Sequence, residues 1–374
     1  MKLLHEAKAD NPSLRHPTRG DQWNVGLLNL VVLFAIFAVA YTDWIVVANV
    51  SLGYLYVLPI ALSALVNPLS ITVGLAILCT ALQEAFGPPA DSVYVRLVRL
   101  AVSLAGFLIV GLLVTLIAKQ RGRLAAEIRL QRDGYEHDLM LASQVQRQVL
   151  SKPPIVPGLE LAAAMQTARL LGGDYYDFFQ IAEGIVDVVI ADVSGKGAAA
   201  SLLMPSLAVA LRLRARELSG PAAIIKDLDG VLKQITNSAT FVTMFYARFD
   251  TTRKVLQYAN GGHNPPLFVR RSTGQSWLLE EAGPIIGILP DAHFSDTSVT
   301  LESGDILAMF TDGVTEQENA VGGQFSMQRF KELVVDDGGD SATGLVDAIT
   351  GAVSAFAGAE TQADDLTVVI CKVR

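Results

Sequence analysis

Cysteine is nearly absent: two in 374 residues, Cys79 and Cys371. So few, so far apart, make neither a disulfide framework nor a zinc site, and the scarcity fits a reducing compartment for the soluble part. Positive charge is also scarce. Lys and Arg number 29 against 37 Asp and Glu, a net charge of −8, so the basic footprint of a nucleic-acid-binding protein is missing. Charged residues make up 18% of the chain, against about 25% in ordinary soluble proteins. Residues 20 to 95 contain no Lys or Arg. Low-complexity tracts and internal repeats are not apparent.

What fills the uncharged interval is apolar. Four stretches stand out: Val25–Tyr41, Ile45–Val66, Ile71–Phe86 and Leu100–Ala118. A membrane-spanning helix needs about 20 such residues, with about 17 as a lower limit, so residues 25–118 read as a helical bundle of about four spans. The connections at residues 41–44, 67–70 and 87–91 carry turn-forming residues, as a compact antiparallel bundle needs. Lys2, Lys8, Arg15 and Arg19 precede the first span; Lys119, Arg121, Arg123, Arg129 and Arg132 follow the last. An even number of spans places both clusters on the cytoplasmic side, which predicts a multi-pass protein of the inner membrane with residues 1–24 as a cytoplasmic tail. A cleaved signal peptide does not fit, because these 24 largely polar residues come first and several spans follow. Arg96 and Arg99 are discordant, near the outer interface, where they are expected to snorkel. Asp43 is expected in a turn, and Glu84 at an interface or a sensing cavity.

From Lys119 the composition becomes charged and helical. Steps of four and three visit Leu124, Ile128, Gln131, Tyr135, Asp138, Ala142, Val145 and Val149; all but Gln131 and Asp138 are apolar, as in a heptad seam. Residues 119–154 therefore read as a linker helix, interrupted at Gly134. One reading lays it on its own domain; another makes it a parallel dimer that carries a signal from the membrane.

Beyond residue 155 strand-like runs alternate with helices. Ile185–Val193, Phe241–Phe249, Lys254–Ala259, Asp305–Phe310 and Leu366–Val373 are predicted strands, and Asp250-Thr251-Thr252-Arg253 a hairpin turn. Helices are predicted at Ala198–Leu218, Ala222–Thr236, Met327–Leu333 and Thr343–Phe356, with Pro205 kinking or starting the first. This succession predicts an α/β (α+β) layered domain. Four aspartates punctuate it: Asp174 after Gly172-Gly173, Asp192 before Val193-Ser194-Gly195, Asp312 before Gly313, and Asp364 before Asp365. Carboxylates brought together from distant segments repel unless cations lie between them, and hard oxygen donors suit magnesium or manganese. A metal-dependent hydrolase is the first reading.

The surrounding motifs carry more. Ala168-Arg169-Leu170-Leu171-Gly172-Gly173-Asp174-Tyr175-Tyr176-Asp177, Ile190-Ala191-Asp192-Val193-Ser194-Gly195-Lys196-Gly197, Phe241-Val242-Thr243-Met244-Phe245-Tyr246, Ala259-Asn260-Gly261-Gly262-His263-Asn264-Pro265-Pro266, Phe310-Thr311-Asp312-Gly313-Val314-Thr315-Glu316 and Asp364-Asp365-Leu366-Thr367 occur in this order. The succession resembles the metal-dependent protein phosphatases of the type 2C fold (PPM), in the bacterial branch of the stage II sporulation protein E phosphatase and the stress-response sigma regulators. The resemblance covers about residues 139–374, including a regulatory helix at 141–150.

The resemblance implies a β-sandwich flanked by helices with a centre of two Mn2+ or Mg2+ ions at one end. Asp192 would bridge both ions, with the Val193 carbonyl completing one coordination sphere. Asp174, Asp312 and Asp364 would supply further ligands, directly or through water, with Asp365 a lesser candidate because adjacent strand residues face opposite ways. Paired ions would activate a water for in-line attack on phosphoserine or phosphothreonine. Around them, Gly173, Gly195 and Gly313 would give room for tight turns, and Glu316 would orient the Asp312 turn. Arg169 is the candidate for holding phosphate, with an ordinary surface arginine the competing reading. His263 reads as a structural turn residue, a general acid being the alternative. Ser194-Gly195-Lys196-Gly197 lacks the other residues of a nucleotide-binding loop. The branch implies a phosphorylated anti-sigma-factor antagonist as substrate, in a partner-switching pathway, and the seam implies a homodimer through the linker helix. The rival function is a membrane receptor whose phosphatase-like domain only binds or scaffolds.

Overall fold

The computed structural model describes residues 19–45, 52–86, 89, 92–195, 198–235, 240–280, 282–336 and 341–374. Lys2, Lys8 and Arg15, most of the 87–91 connection, Lys196 and Gly197, and residues 337–340 lie outside the described residues. The chain forms two compact units, Met1–Asp133 and Gly134–Arg374.

In the first unit, helix α1 spans Arg19–Ile45; a 3₁₀ turn at Gly53–Tyr56 leads into α2, Val57–Val66; α3 spans Leu69–Phe86; and α4 runs from Val93 through Val149. Three of the described helices, α1, α3 and α4, are long and apolar enough to cross a membrane. The expected second span differs: its described part is the shorter apolar segment Gly53–Val66, below the roughly 17 residues a crossing needs. Asp43 is not in a turn. It occupies the last turn of α1, buried, with Oδ1 accepting the Leu52 N–H at 2.8 Å. Arg96 and Arg99 do not simply snorkel either. Arg96 pairs with Glu84 at 2.9 Å and Arg99 with the same carboxylate at 2.8 Å, so one acid on α3 answers both cations. The helix of α4 continues through Gly134 without interruption.

The second unit is layered, and its strands are legible residue by residue. β1 (Leu159–Gln166), β6 (Leu267–Arg270), β7 (Gln275–Leu278), β10 (Ile306–Phe310) and β11 (Leu366–Val373) form a five-stranded sheet in the order β1-β11-β10-β6-β7. β2 (Asp174–Ala182), β3 (Ile185–Val193), β4 (Val242–Asp250), β5 (Val255–Gly261) and β8 (Ala282–Gly283) form the second sheet, in chain order, with β9 (Thr297–Thr300) also on β5. All pairings are antiparallel except the short β5–β8 bridge.

β3 explains the layering. Val186, Val188 and Ile190 pack with Phe245, Phe249, Phe268, Leu307, Met309 and Val369 between the sheets. The alternate residues Val189, Ala191 and Val193 pack on the outer face against Met204, Leu211, Ile224 and Leu228. Successive side chains of a strand face opposite ways, so a strand covered on both faces is apolar throughout. The outer residues belong to helices α5 (Ala198–Glu217) and α6 (Pro221–Ile235); Pro205 sits inside α5 without ending it. Helices α8 (Ser326–Asp336) and α9 (Ala342–Ala357) cover the other sheet through Phe330, Val334, Leu345 and Ile349. The result is helix, sheet, sheet, helix, with both sheets ending at one rim.

Candidate metal centre

That rim gathers the aspartates. Asp174 opens β2 and stands directly opposite Asp192, one residue before the end of β3. Asp312 opens a one-turn helix, α7 (Asp312–Thr315), immediately after β10, and Asp364 and Asp365 immediately precede β11. Carboxylates far apart in sequence therefore meet because neighbouring strands of both sheets begin or end at this rim.

Hydroxyls tie the two sheets together there. Thr311 donates its Oγ1–H to Asp174 Oδ2 at 2.8 Å, and Thr367 donates to the same oxygen at 2.5 Å. Asp174 is almost wholly buried. Burial raises its pKa well above the ordinary carboxyl value, the nearby Asp192 and Asp365 charges add to this, and the two threonine hydroxyls oppose it. A cation supplied to this rim would relieve that strain on the charged form.

Glycines allow the close approach. A Cβ on Gly173 would lie 2.8 Å from the Val193 carbonyl oxygen and 3.1 Å from Asp192 Oδ1, so the backbone passes directly over the two groups expected to bind metal. Gly313 abuts the Asp365 carbonyl with no room for a side chain, and Gly195 adopts φ +98°, a conformation glycine alone adopts readily. The Ser194 turn is held by its N–H to Phe241 O at 2.8 Å and by Phe241 N–H to Ser194 Oγ at 2.7 Å.

The two adjacent acids separate clearly. Asp365 is buried, with Oδ1 accepting the Ala168 N–H at 2.8 Å and Oδ2 the Gly173 N–H at 2.6 Å. Its carboxylate staples the Gly172-Gly173 turn. Asp364 is exposed and lines a small cleft with Asp192, Arg169, Gly173 and Gly195. Arg169 thus lies at the cleft, as its candidacy for phosphate requires. Glu316 departs from expectation: its side chain is exposed, and only its backbone N–H acts on the turn, donating to Asp312 O at 2.8 Å. His263 is buried away from the cleft lining, with Nδ1 2.9 Å from Thr243 Oγ1, its backbone held by the Asn260 amide, and its pKa lowered to about 4 by burial. That supports the structural reading.

Among the described residues no three His, Cys, Asp or Glu side chains converge into a closed metal cage. The donor set still fits hard divalent cations: paired carboxylates in register, an accessible backbone carbonyl, and an open cleft for water, all oxygen. Thr311, Thr367 and Gln146 escaped the sequence reading. The two threonines stand inside quoted motifs, so proximity to Asp312 and Asp364 was their only signal.

This architecture is the PP2C-type phosphatase fold. The SiaA-PP2C domain of Pseudomonas aeruginosa superposes with a TM-score of 0.58 at 20% identity, over 65% of this chain and 99% of that one. The chain belongs to the stage II sporulation protein E (SpoIIE) family, whose model matches residues 182–374. It is 33% identical over 180 residues to phosphoserine phosphatase RsbU of Bacillus subtilis, covering 48% of this chain and 53% of that protein. It is 28% identical over 185 residues to phosphoserine phosphatase RsbP of the same organism, covering 48% and 46%. The chain spans about half the length of the curated relatives it matches.

Proposed function

We propose that the chain is a membrane-anchored, metal-dependent protein serine/threonine phosphatase. The carrying observation is the in-register pair Asp174 and Asp192 at the rim, with Gly173 closed over the Val193 carbonyl. The two Bacillus relatives are named phosphoserine phosphatases, which supports the reaction class.

Asp192 would hold two Mn2+ or Mg2+ ions between its oxygens, Val193 would offer its carbonyl, and Asp312 and Asp364 would complete the set. Asp174, buried and capped by two hydroxyls, would act on the centre from beneath, directly or through water. Such ions, when bound, neutralise phosphate charge and lower the pKa of coordinated water. Arg169, exposed at the cleft, would hold the phosphoryl oxygens and orient the phosphoserine or phosphothreonine side chain. Asp365 would keep the glycine turn in place.

In this reading residues 25–118 form the inner-membrane bundle and possible signal input, 119–154 the linker, and 155–374 the cytoplasmic catalytic domain. The three long apolar helices support the anchor. The linker supports a homodimer: Leu124, Ile128, Tyr135 and Val145, all on the heptad seam, are exposed, as a seam awaiting a second copy would be. The seam's last member, Val149, instead packs on its own domain. The substrate is assigned to a phosphorylated anti-sigma-factor antagonist from the sporulation and stress-regulator branch that the motifs resemble.

The test is phosphate release from a phosphoserine protein by the full chain in detergent, with and without Mn2+. Metal-dependent release that falls by at least about 10³-fold in Asp192→Asn is expected, since removing a principal electrostatic group costs on that order. Equal release by the variant would sink the assignment. A receptor that merely scaffolds would release none.

A further inference from the structure

We propose that Gln146 is a positioning residue through which the linker helix sets the geometry of the metal turn. The inference rests on the reading of the rim as a metal centre. Gln146 lies in the last turn of α4, and only 4% of it is exposed. Its side-chain amide grips both backbone groups of Gly172: Nε2–H donates to the carbonyl at 2.7 Å, and Oε1 accepts the N–H at 3.3 Å. No other side chain in the described linker is buried in this way.

What Gly172 touches makes the grip consequential. On its far side a Cβ would lie 2.5 Å from Asp365 Oδ2 and 2.8 Å from Thr167 Cγ2. The next residue, Gly173, donates its N–H to Asp365 Oδ2 at 2.6 Å, and its carbonyl accepts the Val193 N–H at 3.2 Å. The sequence of contacts is therefore linker amide, Gly172, the Asp365 staple and Gly173, then the Val193 backbone beside Asp192. Each step is a direct hydrogen bond or a contact without slack.

A second grip stops the helix end from sliding free. Arg212 of α5 donates from Nη2 to the Val149 carbonyl at 2.9 Å and to Ser151 Oγ at 2.8 Å, while its Nε donates to Asp177 Oδ2 at 2.8 Å. Asp177 is fully buried and also accepts the Tyr175 hydroxyl at 2.6 Å. Both anchors end on the segment that carries Asp174: one on the turn before β2, the other inside β2. A rotation or withdrawal of the helix end would thus be delivered to the residues flanking Asp174 rather than lost in a loop. Coupling of this kind needs two packed arrangements of the helix end, and the exposed seam upstream supplies a surface whose pairing would bias them.

The experiment uses the full chain in detergent, as wild type, Gln146→Leu, Gln146→Glu and a control, Arg147→Ala, at the exposed neighbouring position. Mn2+ binding is measured by calorimetry, and backbone hydrogen exchange is followed across the domain without metal. The Leu variant removes both hydrogen bonds; the Glu variant keeps the acceptor and loses the donor, so one is informative if the other does not fold. Support is a 10- to 100-fold loss of Mn2+ affinity, on the scale of outer-shell changes, with exchange quickened in residues 166–174 and unchanged in β4 and β5. At saturating Mn2+, kcat should stay within about threefold of wild type while the metal requirement rises, because the lost contact touches no substrate. Unchanged exchange at 166–174 overturns the proposal, as does faster exchange spread evenly over the domain, the mark of a merely structural side chain. The exchange arm needs neither metal nor substrate. A wild type that releases no phosphate would therefore defeat the phosphatase reading while exchange still decides this one.

Discussion

Substituting alanine for Gly173 is the sharpest single test of the rim. The new Cβ would meet the Val193 carbonyl oxygen at 2.8 Å and Asp192 Oδ1 at 3.1 Å. Relaxed contacts of this type lie at about 3.3–3.6 Å, so the groups must part by about 0.5 Å. The neighbours cannot yield freely. Gly173 is tied by its N–H to Asp365 and by its carbonyl to the Val193 N–H, and Val193 is itself buried in the helix-facing core. Overpacking of this size costs about 1–3 kcal/mol, which appears as a melting temperature lower by about 2–4 °C per kcal/mol. The displacement falls on the two groups assigned to the cations, and half an ångström is about the tolerance of a preorganised site. Affinity for Mn2+ should drop about 10- to 100-fold, or about 1.4–2.7 kcal/mol of binding. The assay is calorimetric titration of the full chain in detergent, beside thermal melts. Gly351→Ala is the control: that glycine sits within α9 with nothing near its absent Cβ, so the change should leave binding intact and stabilise by up to about 1 kcal/mol. A Gly173→Ala protein that binds Mn2+ as the wild type does would refute the assignment of Val193 and Asp192.

Two further outcomes follow from the same geometry. Asp364→Asn should weaken Mn2+ binding with little change in melting. Asp365→Asn should instead cost about 1–3 kcal/mol of stability, because an amide cannot accept both the Ala168 and Gly173 N–H groups; the reverse pattern in paired titrations and melts would exchange their roles. For His263 the pKa is lowered from 6.5 to about 4, so the unfolded chain takes up a proton that the folded chain refuses between those values. Its contribution is present above pH 6.5 and is lost as pH falls toward 4, amounting to as much as about 3 kcal/mol. His263→Gln should flatten melting temperature against pH in that window, and an unchanged slope would contradict the assignment.

Local chemistry made much of this readable beforehand. β3 and β11 are runs of Val and Ile that only a doubly covered strand explains, and their bounds match the expected ones. The helices at Ala198–Glu217 and Ala342–Ala357 likewise fall within a few residues of expectation. Asp174, Asp192, Asp312 and Asp364 announced themselves by their glycine-rich turns. Apolar length alone misjudged the bundle, because hydropathy does not register the 3₁₀ turn at Gly53–Tyr56 or the continuation of α1 through Ile45. The pairing of Arg96 and Arg99 with Glu84 joins residues on different helices, which no local pattern encodes.

The sequence by itself determined the layered α/β class, the apolar character of the N-terminal region and the identity of the aspartates, because periodicity and turn chemistry act over a few residues. Only the tertiary structure decided how those aspartates divide their work. Asp365 became a staple and Asp364 the cleft residue because two buried backbone N–H groups, from a segment almost two hundred positions away, had to find acceptors. The same requirement recruited Thr311 and Thr367 to Asp174 and Gln146 to Gly172. Buried polar groups must be satisfied wherever folding leaves them, and their partners are chosen by three-dimensional proximity.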